Sequence, residues 1–439
     1  MMQKILIVTV GGSHQPIVTA IKTVQPDRVI FICSSGSRGS ESQVIGKGTP
    51  CEVRRGTEVL DRLPNIPTQV ELGDRFQVER DLILIEEPDE LSECYSKASL
   101  GIQNLQRELP NAQIMADYTG GTKTMSVGLA MAGLDHRVTL YITTGNRTNI
   151  IKVDRGELTA QASIAPVIVQ RTIEQFIPVV LQQYNYPAAI AELKRLLQSM
   201  ALPADIKRRI QDLYACCSGL DAWDRFEHQE ALELLQNQMK RSEIQPLGIF
   251  LRRVMSSRGK IDEQFDSSEG TKGHGYEIIE DLLLNAERRA TQERYDDAVG
   301  RLYRALELLA QIRLLTAYEI KTGDVYPQKL PESLREEYEK MRSPVKGKIQ
   351  LALRNSYELL SKLTDDPLGQ LYRANANRII NALETRNNSL FAHGFKPITA
   401  SDYQKVSDIV VGFIQDGIES VVTNQGKFKV SQFPKILDI

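Results

Sequence analysis

The sequence predicts two folds in one chain: a mostly parallel, doubly wound α/β domain, then an all-α region. Three observations carry this. Up to Ile164, apolar β-branched runs alternate with helical patterns, the signature of strands joined by crossover helices. Two of those runs end in glycine-rich turns that lead into helices, as at the carboxyl edge of a parallel sheet. From Ala165 the apolar residues recur in steps of three and four instead, the period of a helix face.

Lys4 to Val10 is an apolar, β-branched run after its first residue, with Thr9 its one polar member, as a strand covered on both faces should be. Gly11-Gly12-Ser13-His14-Gln15 makes a tight turn, and Pro16 opens a helix through Val24, because proline lacks only an N–H that the first helical turn would leave unpaired. Arg28 to Cys33 is the second strand, ending in the small-residue loop Ser34 to Ser42. A less regular stretch follows. Leu82 to Ile85 is a strand, and a helix runs from Asp89, its cap, to Leu109. Gln113 to Tyr118 is the next strand, followed by the loop Thr119 to Thr124, a helix through Leu134 and the strand Val138 to Thr143. Asn149 to Ile164 reads as a final hairpin turning at Asp154-Arg155-Gly156.

The helical part begins with Ile173, Phe176, Ile177 and Val180, then Ala189, Leu193, Leu196 and Leu197, with Pro187 and Pro203 as boundaries. Trp223 reads as core. Ser256 to Gly275 is small and charged without apolar rhythm, hence a loop, with His274 solvated in it. Helices follow near 277–292, 295–320, 348–363, 368–392 and 401–422, an all-α bundle. The expected domains are 1–165, a helical connector 166–275, a bundle 276–424 and a tail 425–439, in which Phe428, Val430 and Phe433 suggest a docked segment.

With 41% hydrophobic and 25% charged residues, the 439-residue composition is that of an ordinary globular protein. A net charge of −2 supplies no overall field to attract nucleic acid, so any RNA contact must use local basic groups. The five cysteines are scattered, without a Cys-x2-Cys pair, which argues against a zinc cage and for the cell interior. No metal site is expected. No run approaches the roughly 20 apolar residues that span a bilayer.

Two stretches carry chemistry. Gly11 to Gln15 and Thr119 to Thr124 each combine glycines, over which a ligand can approach the backbone, with a following helix whose free N–H groups favour phosphate. Ser13, Thr122 and Lys123 add donors. Neither loop is Gly-x4-Gly-Lys-Ser/Thr nor Gly-x-Gly-x-x-Gly, and either taken alone also reads as a plain strand-to-helix turn. The second stretch is Arg386 to His393. Tyr372, Ala376, Ile379, Leu383, Arg386, Leu390 and His393 keep helical phase, which predicts an arginine and a histidine on one stripe. Histidine transfers protons near neutral pH, and a guanidinium stabilises phosphorane oxygens, as metal-free RNA cleavage requires. The same pair also admits a structural reading, a helix-terminal histidine and a capping arginine.

Arg386-Asn387-Asn388-Ser389-Leu390-Phe391-Ala392-His393 resembles the HEPN nuclease motif, an arginine, often followed by a polar residue, then four to six positions and a histidine. Asp117 to Met125 and Val8 to Ser13 resemble the signature loop and first strand of CARF domains. Together they resemble the CARF-HEPN ribonucleases of type III CRISPR systems. The resemblance implies a Rossmann-like sensor pairing about a two-fold axis and binding cyclic oligoadenylate, a ring of four or six adenylates, through Gly11, Gly12, Ser13, His14, Gly121, Thr122 and Lys123. It implies a cytoplasmic homodimer that cleaves single-stranded RNA without metal or other cofactor, with Arg386 and His393 catalytic and Asn387 positioning them. A ligand-responsive regulator that cleaves nothing, and an enzyme degrading the cyclic ligand in the amino-terminal domain, are the alternatives.

Overall fold

A computed structural model describes residues 2–36, 39–55, 57–145, 157–162, 164–199, 202–390, 392–422 and 431–437. The chain divides into two compact units, Met1–Gln170 and Arg171–Ile439. The first is α/β and the second helical, as the apolar periods require.

In the first unit, β1 (Lys4–Val10), α1 (Gln15–Val24), β2 (Arg28–Ser34), β3 (Cys51–Arg55), β4 (Glu58–Leu63), β5 (Leu82–Ile85), α2 (Leu91–Glu108), β6 (Gln113–Asp117), α3 (Lys123–Asp135), β7 (Thr139–Gly145) and β8 (Glu157–Gln161) follow in order. The main sheet runs β5-β2-β1-β6-β7-β8. All its pairings are parallel except β7 with β8. Alternate residues of β1 enter opposite cores. Ile5 and Ile7 pack with Ile30, Ile32, Ile102 and Leu129 on one face; Leu6, Val8 and Val10 pack with Ile17, Ile21 and Phe31 on the other. That is why the strand is apolar but for Lys4 and Thr9. The chain moves from β1 to β2 and β5, then returns to β6 on the opposite side of β1. The switch point therefore lies between β1 and β6, where open α/β sheets bind ligands.

Two local expectations change, and a third falls partly outside the described residues. The irregular stretch contains the hairpin β3–β4, a separate two-stranded sheet; β4 is exposed almost throughout, so it shows no buried period. Helix α2 is capped by Glu90 rather than Asp89, the Glu90 carboxylate accepting from Ser92 N. The final antiparallel pair is β7 with β8, while the expected turn at Asp154-Arg155-Gly156 lies outside the described residues.

The second unit contains α4 (Tyr186–Ser199), α5 (Ala204–Asp224), α6 (His228–Leu235), α7 (Gln245–Gly259), α8 (Glu277–Thr291), α9 (Tyr295–Tyr318), α10 (Leu353–Lys362), α11 (Pro367–Asn387) and α12 (Ala400–Val421) among its helices. Trp223 is buried, and its Nε1 donates to Asp281 at 3.0 Å. His228, also buried, places Nε2 3.1 Å from the same carboxylate. Arg258 Nη1 lies 3.2 Å from His228 Nδ1, so Nδ1 accepts and Nε2–H donates. These contacts bind the expected connector to α8 as one polar core.

Ser256 to Gly275 is not the loose loop its composition suggests. Ser256 to Gly259 finish α7, and buried Ser257 Oγ accepts from Ile278 N at 2.9 Å. His274 is not merely solvated: its Nε2 lies 3.2 Å from Glu280, and its Nδ1 accepts from Tyr276 N. Burial opposes its charge, but Glu280 and Glu277 outweigh burial and hold its pKa above the ordinary histidine value. In the tail, Phe433 is buried against Trp223 and Tyr186 with the Arg288 guanidinium 3.8 Å over its ring. Phe428 and Val430 lie outside the described residues.

All five cysteines are free and buried. Burial pushes the Cys216 and Cys217 thiols up to about 12, so they pack as small apolar groups. Among the described residues, no helix is long and apolar enough to cross a membrane.

Candidate active site and ligand-binding loops

The two glycine loops meet at the β1/β6 switch point. Thr9 Oγ1, near the end of β1, donates to Gly120 O at 2.7 Å. A methyl group added to Gly11 would stand 2.6 Å from Gly121 N, inside contact distance of another backbone. Gly121 itself has φ +85°, a conformation only glycine adopts without strain. Gly12 and Ser13 are exposed at the tip, and Lys123 is exposed at the start of α3. Thr122 caps α3: its Oγ1 accepts from Met125 N at 3.1 Å and donates to Pro88 O at 2.6 Å. Its hydroxyl thus builds the loop.

His14 is buried, and neither ring nitrogen has a hydrogen-bond partner within the protein. It is therefore not the solvated turn histidine that its glycine-rich surroundings suggest. Burial lowers its pKa and keeps the ring neutral. Two further side chains support the loops. Gln43 Nε2 donates to Gly11 O at 2.5 Å. Buried Asp117 accepts from Thr119 N and from Thr143 Oγ1, and desolvation raises its pKa despite those bonds. No local pattern marks Gln43, whose partner lies across the sheet edge.

In the second unit, α11 begins at Asp366, whose carboxylate accepts from Gly369 N at 2.8 Å, with Pro367 in the first turn. The stripe holds through Tyr372 and Ile379, which are buried. It ends sooner than its phase implies. Helix α11 stops at Asn387, so Arg386 lies in its last turn while His393 lies in the turn beyond. Asparagine side chains compete with the helical backbone and favour its ends, and here two occur together. The chain then closes on itself: Leu390 N donates to Lys396 O, Gly394 N to Ser389 O, and His393 N to Asn387 O. A Cβ on Gly394 would fall 1.9 Å from Asn388 O, so only glycine closes this turn.

The result separates what the helical stripe would have aligned. Arg386 is half-buried, its guanidinium carbon 4.5 Å from the centre of the Tyr303 ring on α9, within range of a cation–π contact. Its Nη1 donates to Asn387 Oδ1 at 3.3 Å. His393 is exposed, as are the nearby apolar side chains of Leu390 and Phe395; Phe391 lies outside the described residues. Tyr303 escaped the sequence reading because only the packing of α9 beside the end of α11 brings it to Arg386. Its neighbours Arg301 and Arg304 are engaged elsewhere: Arg301 with Asn285 and Asp297, Arg304 with Glu307 in the i,i+3 pair that their spacing allows.

Residues 268–416 match the family model described as the Csm6 HEPN domain, a stretch that includes Tyr303, Arg386 and His393. The CRISPR system endoribonuclease Csm6 of Thermus thermophilus is 23% identical, over 72% of this chain and 71% of its own length. The structure of Enterococcus italicus Csm6 bound to cyclic hexa-2′-fluoro-hexa-dAMP superposes with a TM-score of 0.55 at 12% identity, covering 97% of this chain and 96% of that one. The chain resembles Csm6 in sequence over its HEPN-matching stretch and in fold over nearly its whole length. The family match contains the arginine-histidine motif, and the structural likeness carries the shared fold into the α/β unit, where the glycine loops converge.

Proposed function

We propose that the chain is an endoribonuclease of type III CRISPR defence that cyclic oligoadenylate activates. The observation that carries this reading is the pair Arg386 and His393, on either side of a helix end, inside the stretch that matches the Csm6 HEPN domain. The 2′-hydroxyl of RNA attacks the adjacent phosphorus and the bond to the 5′-oxygen breaks, leaving a 2′,3′-cyclic phosphate and a 5′-hydroxyl. His393 exchanges the proton, Arg386 neutralises the phosphorane oxygens, and Asn387 orients the guanidinium. No step uses a metal. One such pair is sparse for a nuclease. A homodimer places two together, and the exposed apolar side chains of Leu390 and Phe395 beside the motif support a second copy covering this face.

In the α/β unit the ligand is a ring of four or six adenylates, whose phosphates meet the N–H groups at Gly11 to Ser13 and Gly121 to Lys123. The cyclic nucleotide carried by the Enterococcus italicus protein supports that ligand class. Activation requires the ring to bind the cleaving state more tightly than the resting one. The protein works in the cytoplasm, where target transcripts are made.

The test is cleavage of a fluorescent single-stranded RNA in EDTA, with no activator and with cyclic tetra- or hexa-adenylate. One ring should accelerate cleavage, and His393→Ala should abolish it while leaving thermal unfolding unchanged, since His393 is exposed. Activity that persists in that variant overturns the assignment of the site.

A further inference from the structure

Apart from the arginine-histidine motif, the helical unit contains a cavity of about 410 Å³. It lies where three segments meet: the turn entering α4, the end of α5 and the turn between α8 and α9. Arg225, Arg289 and Arg294 line it together with Asp221, Asp224 and Asn185. The carboxylates are already committed. Asp221 pairs with Arg225 at 3.1 Å, and Asp224 is shared by Arg289 and by Arg288, which is fully buried.

The donors are in excess. Arg289 Nε is buried without an acceptor, although the Arg289 side chain is only 11% exposed. A buried guanidinium N–H left unpaired is destabilising, and an oxyanion is the group that satisfies it best. The Arg294 side chain is exposed at the rim and makes no hydrogen bond or ion pair among the described residues, its backbone N–H alone donating to Arg289 O. The Asn185 side-chain oxygen accepts from Ala188 N, which leaves its NH2 group as a further donor to the cavity. Burial and the neighbouring Arg301 and Arg288 act against the charge of Arg289, and Asp224 offsets them only in part, so its pKa falls below the ordinary guanidinium value.

We propose that this cavity binds a phosphate group, either inorganic phosphate or the terminal phosphate of a mononucleotide. The phosphate sits between Arg289 and Arg294, with the Asn185 amide as a third donor. Occupation links the α4–α5 pair to the turn from which α9 starts, and α9 carries Tyr303 beneath Arg386. The site is independent of RNA cleavage and of the glycine loops, so its test needs neither.

The experiment is thermal unfolding of the full chain against inorganic phosphate, adenosine 5′-monophosphate and adenosine, at ionic strength matched with chloride. Phosphate and the monophosphate should raise the unfolding temperature and adenosine should not. A tighter response to the monophosphate names a nucleotide as the ligand, and an equal response names phosphate alone. Arg294→Gln, at an exposed position that tolerates change, should weaken the apparent affinity about tenfold or more, the scale of one charge-assisted hydrogen bond. Arg225→Gln should weaken it less, because Asp221 already holds that group. Lys123→Ala should leave it unchanged. No stabilisation beyond chloride overturns the proposal; so does a response that survives Arg294→Gln but disappears in Lys123→Ala, which would place the phosphate on the glycine loops.

Discussion

Tyr303 offers the sharpest test of how the active site is held. The Arg386 guanidinium carbon lies 4.5 Å from the Tyr303 ring centre, inside the range of about 6 Å over which an aromatic face attracts a cation. Both side chains are half-buried, between the exposed limit of about 0.5–1 kcal/mol and the desolvated value of about 2 kcal/mol, which puts the contact near 1 kcal/mol. The other anchor, the bond to Asn387 at 3.3 Å, is at the long end for a hydrogen bond and joins sequence neighbours. Replacing the ring by leucine therefore frees the guanidinium. If that stabilisation is felt only in the transition state, losing it slows kcat/KM about fivefold. Tyr303→Phe keeps the aromatic face and should remain within about twofold of the parent. The assay is single-turnover cleavage of a fluorescent RNA under saturating cyclic activator, with thermal unfolding as a check on the fold. If phenylalanine is as slow as leucine, the hydroxyl rather than the ring matters. If leucine is as fast as tyrosine, the ring does not position Arg386.

Four further outcomes follow from the packing. Gly11→Ala places a methyl 2.6 Å from Gly121 N; overpacking of this kind costs about 1–3 kcal/mol and should weaken binding of cyclic adenylate in a direct titration. Gly12→Ala meets open space and should leave the unfolding temperature unchanged. His14 is depressed by burial relative to its unfolded value of 6.5, so the unfolded chain binds more protons as pH falls below that value. Its contribution to stability is full above pH 6.5 and is lost as pH falls through the folded pKa; urea midpoints between pH 7.5 and 5, compared with those of His14→Gln, should show a shallower acid loss in the variant. Asp281→Ala leaves Trp223 Nε1 and His228 Nε2 without their acceptor in a buried core, which should destabilise the helical unit by about 3–5 kcal/mol, measured by denaturant unfolding.

The sheet was legible because burial on both faces leaves a nearly continuous apolar run, as from Ile5 to Val10, and because Gly11 and Gly121 mark where two backbones touch. The hairpin β3–β4 was not, since its outer strand is solvated and nothing imposes a period on it. Ser256 to Gly275 read as loose because polar groups such as Ser257 and Glu277 order it, and apolar patterning does not record them. At the candidate site the motif could be picked out in the sequence, but its geometry could not. Leu390 and His393 kept helical phase by coincidence, while Asn387-Asn388 was the sign that the helix had ended. Tyr303 left no trace in the sequence near Arg386, because its contact is made only once α9 and α11 pack.

That early end of α11 bears on how such a motif can change over time. Were Arg386 and His393 on one continuous helix, inserting or deleting a single residue between them would swing the histidine by about 100° around the axis and destroy the pair. With the histidine on a closed turn pinned by the Ser389–Lys396 bridge and by Gly394, the span between them behaves as a loop, and loops absorb length changes at their tips. The motif's four to six intervening positions become a drift that the architecture permits: the arginine is fixed by a helix and an aromatic ring, and the histidine is the adjustable partner.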